Sequence, residues 1–227
     1  MTTSAAPDSS VGRRPFVPWP LVAILLLAAL LRLAGLSTFS LWYDEGASLY
    51  LGNYIETPAA LFDRNYTAEP PLNAVVTGLW SGLVDAISPT DVTSPLHDAL
   101  LRLLPALLGI LNCFLVYRLT RQLVGNERSA TIAAFLFAIA PFQLYYAQEL
   151  RIYSLYVTLA LLAVAATERA LNDGALRYWA GYIVALSLLM YSHYFSMWLI
   201  FSLNVTFVTV LHRYRMRFWY WTGANAL

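Results

Sequence analysis

An aspartate and a glutamate stand side by side at Asp44-Glu45, directly after Leu41-Trp42-Tyr43 and a few residues beyond a long apolar run. Trp and Tyr favour the membrane–water interface, so this spacing sets two carboxylates at a membrane surface. A carboxylate there can take a proton from a hydroxyl or ligate a divalent metal. Glu69-Pro70-Pro71-Leu72 is a second grouping, in which two prolines lead into a helix and leave Glu69 just before its N-terminus. The helix dipole favours a carboxylate there; the functional alternatives are a metal ligand or an orienter of the Asp44 site.

Two further groupings fall at corners between apolar runs: Tyr145-Tyr146-Ala147-Gln148-Glu149-Leu150-Arg151-Ile152-Tyr153 and Tyr191-Ser192-His193-Tyr194-Phe195. Tyrosines at such corners fit an aromatic belt, but an arginine at an outer corner needs a partner. Glu149 is one candidate, and the phosphate of a lipid head group, which suits the guanidinium fork, is the other. His193 reads either as a hydrogen-bonded structural residue or as a metal or substrate contact. Arg102 is either a phosphate contact or the partner of Asp98, four residues earlier.

The elements that must position these residues are membrane helices. The 227-residue chain is 59% hydrophobic and 12% charged, against about a quarter charged in soluble chains. Its net charge of +1 gives no reason to expect nucleic acid as a partner. The single cysteine, Cys113, lies in an apolar run and reads as a small buried hydrophobe. Pro18–Leu36 is long enough to span a bilayer, and further apolar runs follow at about 99–117, 129–146, 152–167, 178–193 and 195–211. Residues 1–17 read as a polar cytoplasmic tail and 18–227 as one membrane module, with an acidic outer loop at 37–98.

Arginine placement orients the module. Arg13 and Arg14, the turn with Arg118, Arg121 and Arg128, the turn with Arg169 and Arg177, and the run from Arg213 to Arg217 all go to the cytoplasm by the positive-inside rule. Residues 37–98, the Gln148–Tyr153 corner and the Tyr191–Phe195 corner then share the outer face. A crossing at Leu72–Ile87 would invert every later arginine-rich turn. That segment, carrying Asn73, Thr77 and Asp85, is therefore expected as a juxtamembrane helix, which leaves about six spans. The sequence stops soon after an aromatic stretch, Phe218–Trp221, that could open another helix, and it reads as part of a longer protein.

Trp42-Tyr43-Asp44-Glu45, Glu69-Pro70-Pro71-Leu72, Leu101-Arg102-Leu103, Gln148-Glu149-Leu150-Arg151-Ile152-Tyr153 and Tyr191-Ser192-His193-Tyr194 occur in this order over most of the chain. Together they resemble the membrane-embedded glycosyltransferases of the GT-C type, in particular the dolichyl-phosphate-mannose protein mannosyltransferases and their bacterial relatives, including lipid A aminoarabinose transferases. The resemblance implies an all-α polytopic membrane fold with juxtamembrane helices in the first outer loop. It also implies a polyprenyl-phosphate sugar donor and an acceptor hydroxyl on a lipid, glycan or protein; direct displacement, which needs one carboxylate rather than a retaining pair, predicts inversion at the sugar carbon. Asp44 would be the general base, with Glu45 supporting it or coordinating metal. Arg151 would face the departing phosphate, and Glu149, Tyr153, Arg102 and Tyr194 would complete the substrate contacts. Glu69, where relatives commonly have His, and His193 would join Asp44 around a candidate divalent metal. A bacterial plasma membrane is the expected location. The rival class is a transporter or lipid flippase, which typically shows internal repeats and polar groups near the midplane; here the polar residues gather at the outer corners.

Overall fold

The computed structural model describes residues 18–54, 70–88, 94–210 and 213–226. The expected tail at 1–17 and Glu69 lie outside the described residues. Among the described residues the order is α1 (Trp19–Leu33), α2 (Tyr43–Tyr54), α3 (Leu72–Ile87), α4 (Pro95–Val124) and α5 (Glu127–Ile139). Then come α6 (Pro141–Ala147), α7 (Tyr153–Asn172), α8 (Leu176–Met190), α9 (Ser196–Val210) and α10 (Phe218–Ala226).

Local chemistry sets the helix ends. In α4 the Ser94 hydroxyl accepts from the His97 amide at 3.1 Å, Pro95 occupies the first turn, and Gly125 closes the helix in the left-handed region at φ 71°. The Asn126 side chain then caps α5 by accepting from the Arg128 and Ser129 amides.

At 30 residues, α4 is about 45 Å long, more than a hydrocarbon core of ~30 Å. It forms the axis of the molecule and packs against α1, α3, α5, α6 and α7. On one side, Leu21, Ile24 and Ala28 of α1 meet Cys113 and Tyr117 of α4 and the buried stripe Ala130, Ala134 and Ala138 of α5. Small residues at this spacing let membrane helices approach closely. On the other side, α7, α8, α9 and α10 enclose a second core around Leu159, Tyr182, Leu189, Phe207 and Trp221. Leu26, Leu30, Ile132, Phe135, Trp198 and Phe201 are left exposed, as expected of side chains that face lipid.

Backbone groups in lipid must be satisfied within the protein, and two prolines make this demanding. Pro105 has no N–H for the Leu101 carbonyl; Trp80 Nε1, from α3, donates to it at 3.0 Å and to Leu100 at 3.1 Å. Pro141 breaks the run that the sequence presents as one helix over 129–146, so α5 and α6 meet at a 60° bend. The break frees the Phe137 and Ala138 carbonyls, and buried Arg32 of α1 donates to both, at 3.4 and 3.0 Å. In return, Gln148 donates to the Leu31 and Ala34 carbonyls at the end of α1, at 3.1 and 2.9 Å. Each broken end is capped by the other helix's side chain.

The membrane helices and the outer loop differ in detail from the expectation. By length and composition, α4 and α7 can cross, and the bent α5–α6 pair brings the number to three among the described residues. The other helices expected to span, α1, α8 and α9, are shorter apolar helices of 15 residues each, about 22 Å. The loop assigned to 37–98 also holds more structure than expected. It contains α2 as well as α3, and its last residues already belong to α4. These two helices cross with their backbones in contact, since a Cβ on Gly52 would lie 2.6 Å from the Gly78 nitrogen.

The arginine-rich turns do share one end of the molecule. Tyr214 Oη donates to Asn172 at 2.7 Å, Arg217 to the Asp173 carbonyl at 3.2 Å, and Gln122 to the Ala165 carbonyl at 3.3 Å. At the other end, the Leu72 amide donates to the Tyr191 carbonyl at 2.9 Å, tying the start of α3 to the His193 corner.

Gly109 provides a test of the reciprocal capping. A Cβ there would sit 2.7 Å from Ala147 Cβ and 2.9 Å from Arg32 Nε. Gly109→Ala should cost about 1–3 kcal/mol, as overpacking typically does, read as a lower unfolding temperature in detergent; an unchanged midpoint would refute this packing.

Candidate active site

The site is built on the first turn of α2. Glu45 is fully buried and makes a bidentate pair with Arg102 of α4, Oε1 to Nε at 2.8 Å and Oε2 to Nη2 at 2.6 Å. Its remaining acceptor positions receive the Leu150 amide at 2.8 Å and, in the manner of a capping box, the Trp42 amide at 3.2 Å. Arg102 Nη1 donates to the Leu36 and Phe39 carbonyls, and Nη2 also donates to the Ser40 carbonyl. All five of its N–H donors are therefore engaged. This corrects the expectations for both residues: Arg102 pairs with Glu45 rather than Asp98 and has no donor left for a phosphate, and Glu45 has no free oxygen for a metal or substrate. They fold the 36–45 turn against α4 and the Leu150 corner.

Asp44, one residue away, is in a different environment. Its side chain is 40% exposed, with Oδ2 4.0 Å from Nη2 of Arg151, whose side chain is 11% exposed. Arg151 Nη1 donates to Ser48 Oγ at 3.2 Å and approaches the Asp44 carbonyl at 3.4 Å. Ser48 in turn accepts from Asn73 of α3 at 3.3 Å. The guanidinium lies 5.7 Å from the centre of the Tyr153 ring, and that ring is 4.3 Å from Tyr146 and 5.9 Å from His193. His193 Nδ1 accepts the Phe195 amide at 3.1 Å, and Nε2 has no hydrogen bond among the described residues.

The structure thus gathers Asp44, Arg151, Tyr153 and His193, which come from three segments distant in sequence. Tyr194 is exposed beside His193, without a ring contact to the group among the described residues. Ser48 and Asn73 belong to the assembly and were not singled out as site residues from the sequence. Ser48 is one helical turn beyond Asp44, a spacing that would have shown it once α2 was known to be a helix. Gln148 is positioned by its capping role rather than turned to the site.

Glu149 is buried at the same corner. Desolvation pushes its carboxyl above the usual carboxylate range; the Tyr145 hydroxyl opposes this, the negative charge of Glu45 adds to it, Arg151 opposes it and Asp44 adds to it. Among the described residues no three His, Cys, Asp or Glu side chains converge as metal ligands, and Glu69, the third group of the expected set, lies outside the described residues.

A family model described as dolichyl-phosphate-mannose-protein mannosyltransferase matches residues 93–227. The chain belongs to this family. The family match takes in Arg102 and the corners carrying Arg151 and His193, and it begins after α2 and α3. No curated protein matches the chain. Among solved structures, the chain is similar to the S. cerevisiae protein O-mannosyltransferase Pmt1–Pmt2 complex, solved with its sugar donor bound. The TM-score is 0.65 at 20% identity, over 90% of this chain and 28% of that one. That likeness shows a shared all-α fold; with the family match and its apolar helices, the chain is an integral membrane protein of the GT-C type.

Two measurements test this geometry. Glu45→Gln should destabilise the protein by about 3–5 kcal/mol because it leaves a buried guanidinium uncompensated. Glu45→Leu combined with Arg102→Met should cost less than the two single changes added together; strict additivity in thermal unfolding would mean that the pair is not coupled. The second concerns pH. A carboxyl raised in the folded state binds its proton more tightly there than in the unfolded chain. Its contribution is complete below the ordinary carboxylate value and is lost as pH climbs through the raised one. Glu149→Gln should flatten that decline as pH rises above the ordinary carboxylate range; a parallel curve would show that Glu149 does not contribute.

Proposed function

We propose that this protein transfers a sugar from a polyprenyl-phosphate donor to an acceptor hydroxyl, with Asp44 as the general base. The observation that carries the reading is the pairing of a half-exposed carboxylate, Asp44, with a nearly buried guanidinium, Arg151, at 4.0 Å, in a chain of the mannosyltransferase family. Asp44 takes the proton of the acceptor hydroxyl as its oxygen attacks the anomeric carbon. The bond from that carbon to the phosphate oxygen breaks, and the electron pair leaves with the polyprenyl phosphate. Arg151, fixed by Ser48 and Tyr153, faces the charge that develops on the phosphate, which is where a preorganised cation has most effect. One displacement with one base inverts the anomeric centre. Tyr153, His193 and Tyr194 line the sugar side of the corner, and Glu149 sets the local field behind Arg151. Asp44 and His193, with Glu69, are the groups that would hold a divalent metal, and no step above passes through one.

The shared corner end then faces outward and the arginine-rich end faces the cytoplasm, following the positive-inside rule, in a bacterial plasma membrane. A lipid, a glycan or a protein can supply the acceptor hydroxyl.

The test is transfer from a panel of polyprenyl-phosphate-linked sugars, comparing the parent with Asp44→Asn. Losing a general base typically lowers the rate ~10²–10⁴-fold, and a fall of that size is expected. Transfer unaffected by the variant would retain the enzyme and remove Asp44 as base. No transfer from any donor by folded protein would favour a transporter or lipid flippase.

A further inference from the structure

We propose that the arginine-rich end of the molecule, opposite the candidate active site, binds an anionic phospholipid. Its phosphate sits among Arg118, Arg121 and Arg169, and one acyl chain lies along the groove between α7 and α8. Two adjoining cavities carry the inference. The first, about 330 Å³, is lined by apolar residues including Leu159, Leu162, Val184 and Leu188 and closes at Arg169, Arg177 and Tyr178. The second, about 350 Å³, is lined by Arg118, Arg121, Gln122, Glu168 and Arg169. Arg169 borders both, so a head group in the second is continuous with a chain in the first.

Charge and length argue for this occupant. Glu168 is the carboxylate in the head-group cavity, and its oxygens accept from Gln122 and Asn172. Among the described residues none of Arg118, Arg121 and Arg169 is in an ion pair, and Arg177 has only an exposed contact with Asp173 at 3.7 Å. The cavity therefore sets three guanidiniums against one carboxylate and is net positive, a pattern suited to anionic head groups between membrane helices. Arg177 and Arg169 lie 4.8 and 5.8 Å from the centre of the Tyr178 ring, which holds both guanidiniums at the rim. From Leu159 to Arg169 is about 15 Å of helix, half of a ~30 Å hydrocarbon core. The groove thus has the depth of one leaflet, which a soluble anion would not use.

The purified protein in detergent is titrated with phosphatidylglycerol, with phosphatidylcholine of the same chains and with inorganic phosphate, following thermal unfolding. Stabilisation by phosphatidylglycerol alone is expected. Arg118→Gln, Arg121→Gln and Arg169→Gln together should weaken its apparent affinity roughly a hundredfold. Gly181→Leu is the second variant: a Cβ on Gly181 meets nothing within 4 Å, so leucine fills the groove and leaves the arginines untouched. It should weaken binding about tenfold, the effect of unseating roughly two methylenes. Equal stabilisation by both lipids, the same shift with inorganic phosphate, or undiminished affinity in Gly181→Leu would each overturn the proposal.

Discussion

The bidentate pair of Glu45 and Arg102 is the contact on which the rest of the site depends. It joins α2, α4, the 36–40 turn and the Leu150 amide through groups that are all withdrawn from water. A buried pair is not stabilising in itself, because desolvation offsets much of its attraction. What it provides is position. With every acceptor of the carboxylate and every donor of the guanidinium used, the first turn of α2 is held in one position relative to α4. Asp44, the next residue, is then held at the surface beside Arg151.

The two halves of Asp44-Glu45 show how neighbouring residues of like chemistry can take opposite tasks. On a helix, consecutive residues point about 100° apart, so one carboxylate faces α4 and its neighbour faces the open corner. The sequence shows the pair and its nearness to a membrane surface; it holds no signal for which of the two turns inward. That depends on Arg102, 57 residues away.

Much else was legible. The α3 bounds, Leu72–Ile87, the sharing of one end by the arginine-rich turns, and the candidate corners at Arg151 and His193 all follow from hydropathy, proline position and charge. The failures have local causes. α2 is polar and glycine-containing, with no apolar stripe to mark it, because it rests on α3 through Gly52 and Gly78 rather than on a broad hydrophobic face. The break at Pro141 sits in an unbroken apolar run, where hydropathy outweighs the backbone restriction that proline imposes on Ala140. Its rescue by Arg32, 105 and 106 residues earlier, has no signature in the sequence near either residue.

That rescue bears on how the protein is made. During synthesis α1 enters the bilayer long before Phe137 and Ala138 exist, so its arginine has no internal acceptors. Until they arrive the guanidinium must reach back to the lipid head groups, as long basic side chains near helix ends do. Only when the α5–α6 elbow has formed can Arg32 turn inward, and only then does Gln148 close the end of α1. Assembly of this half therefore has an order: the first helix waits at the interface in a provisional pose, and the third hydrophobic segment fixes it.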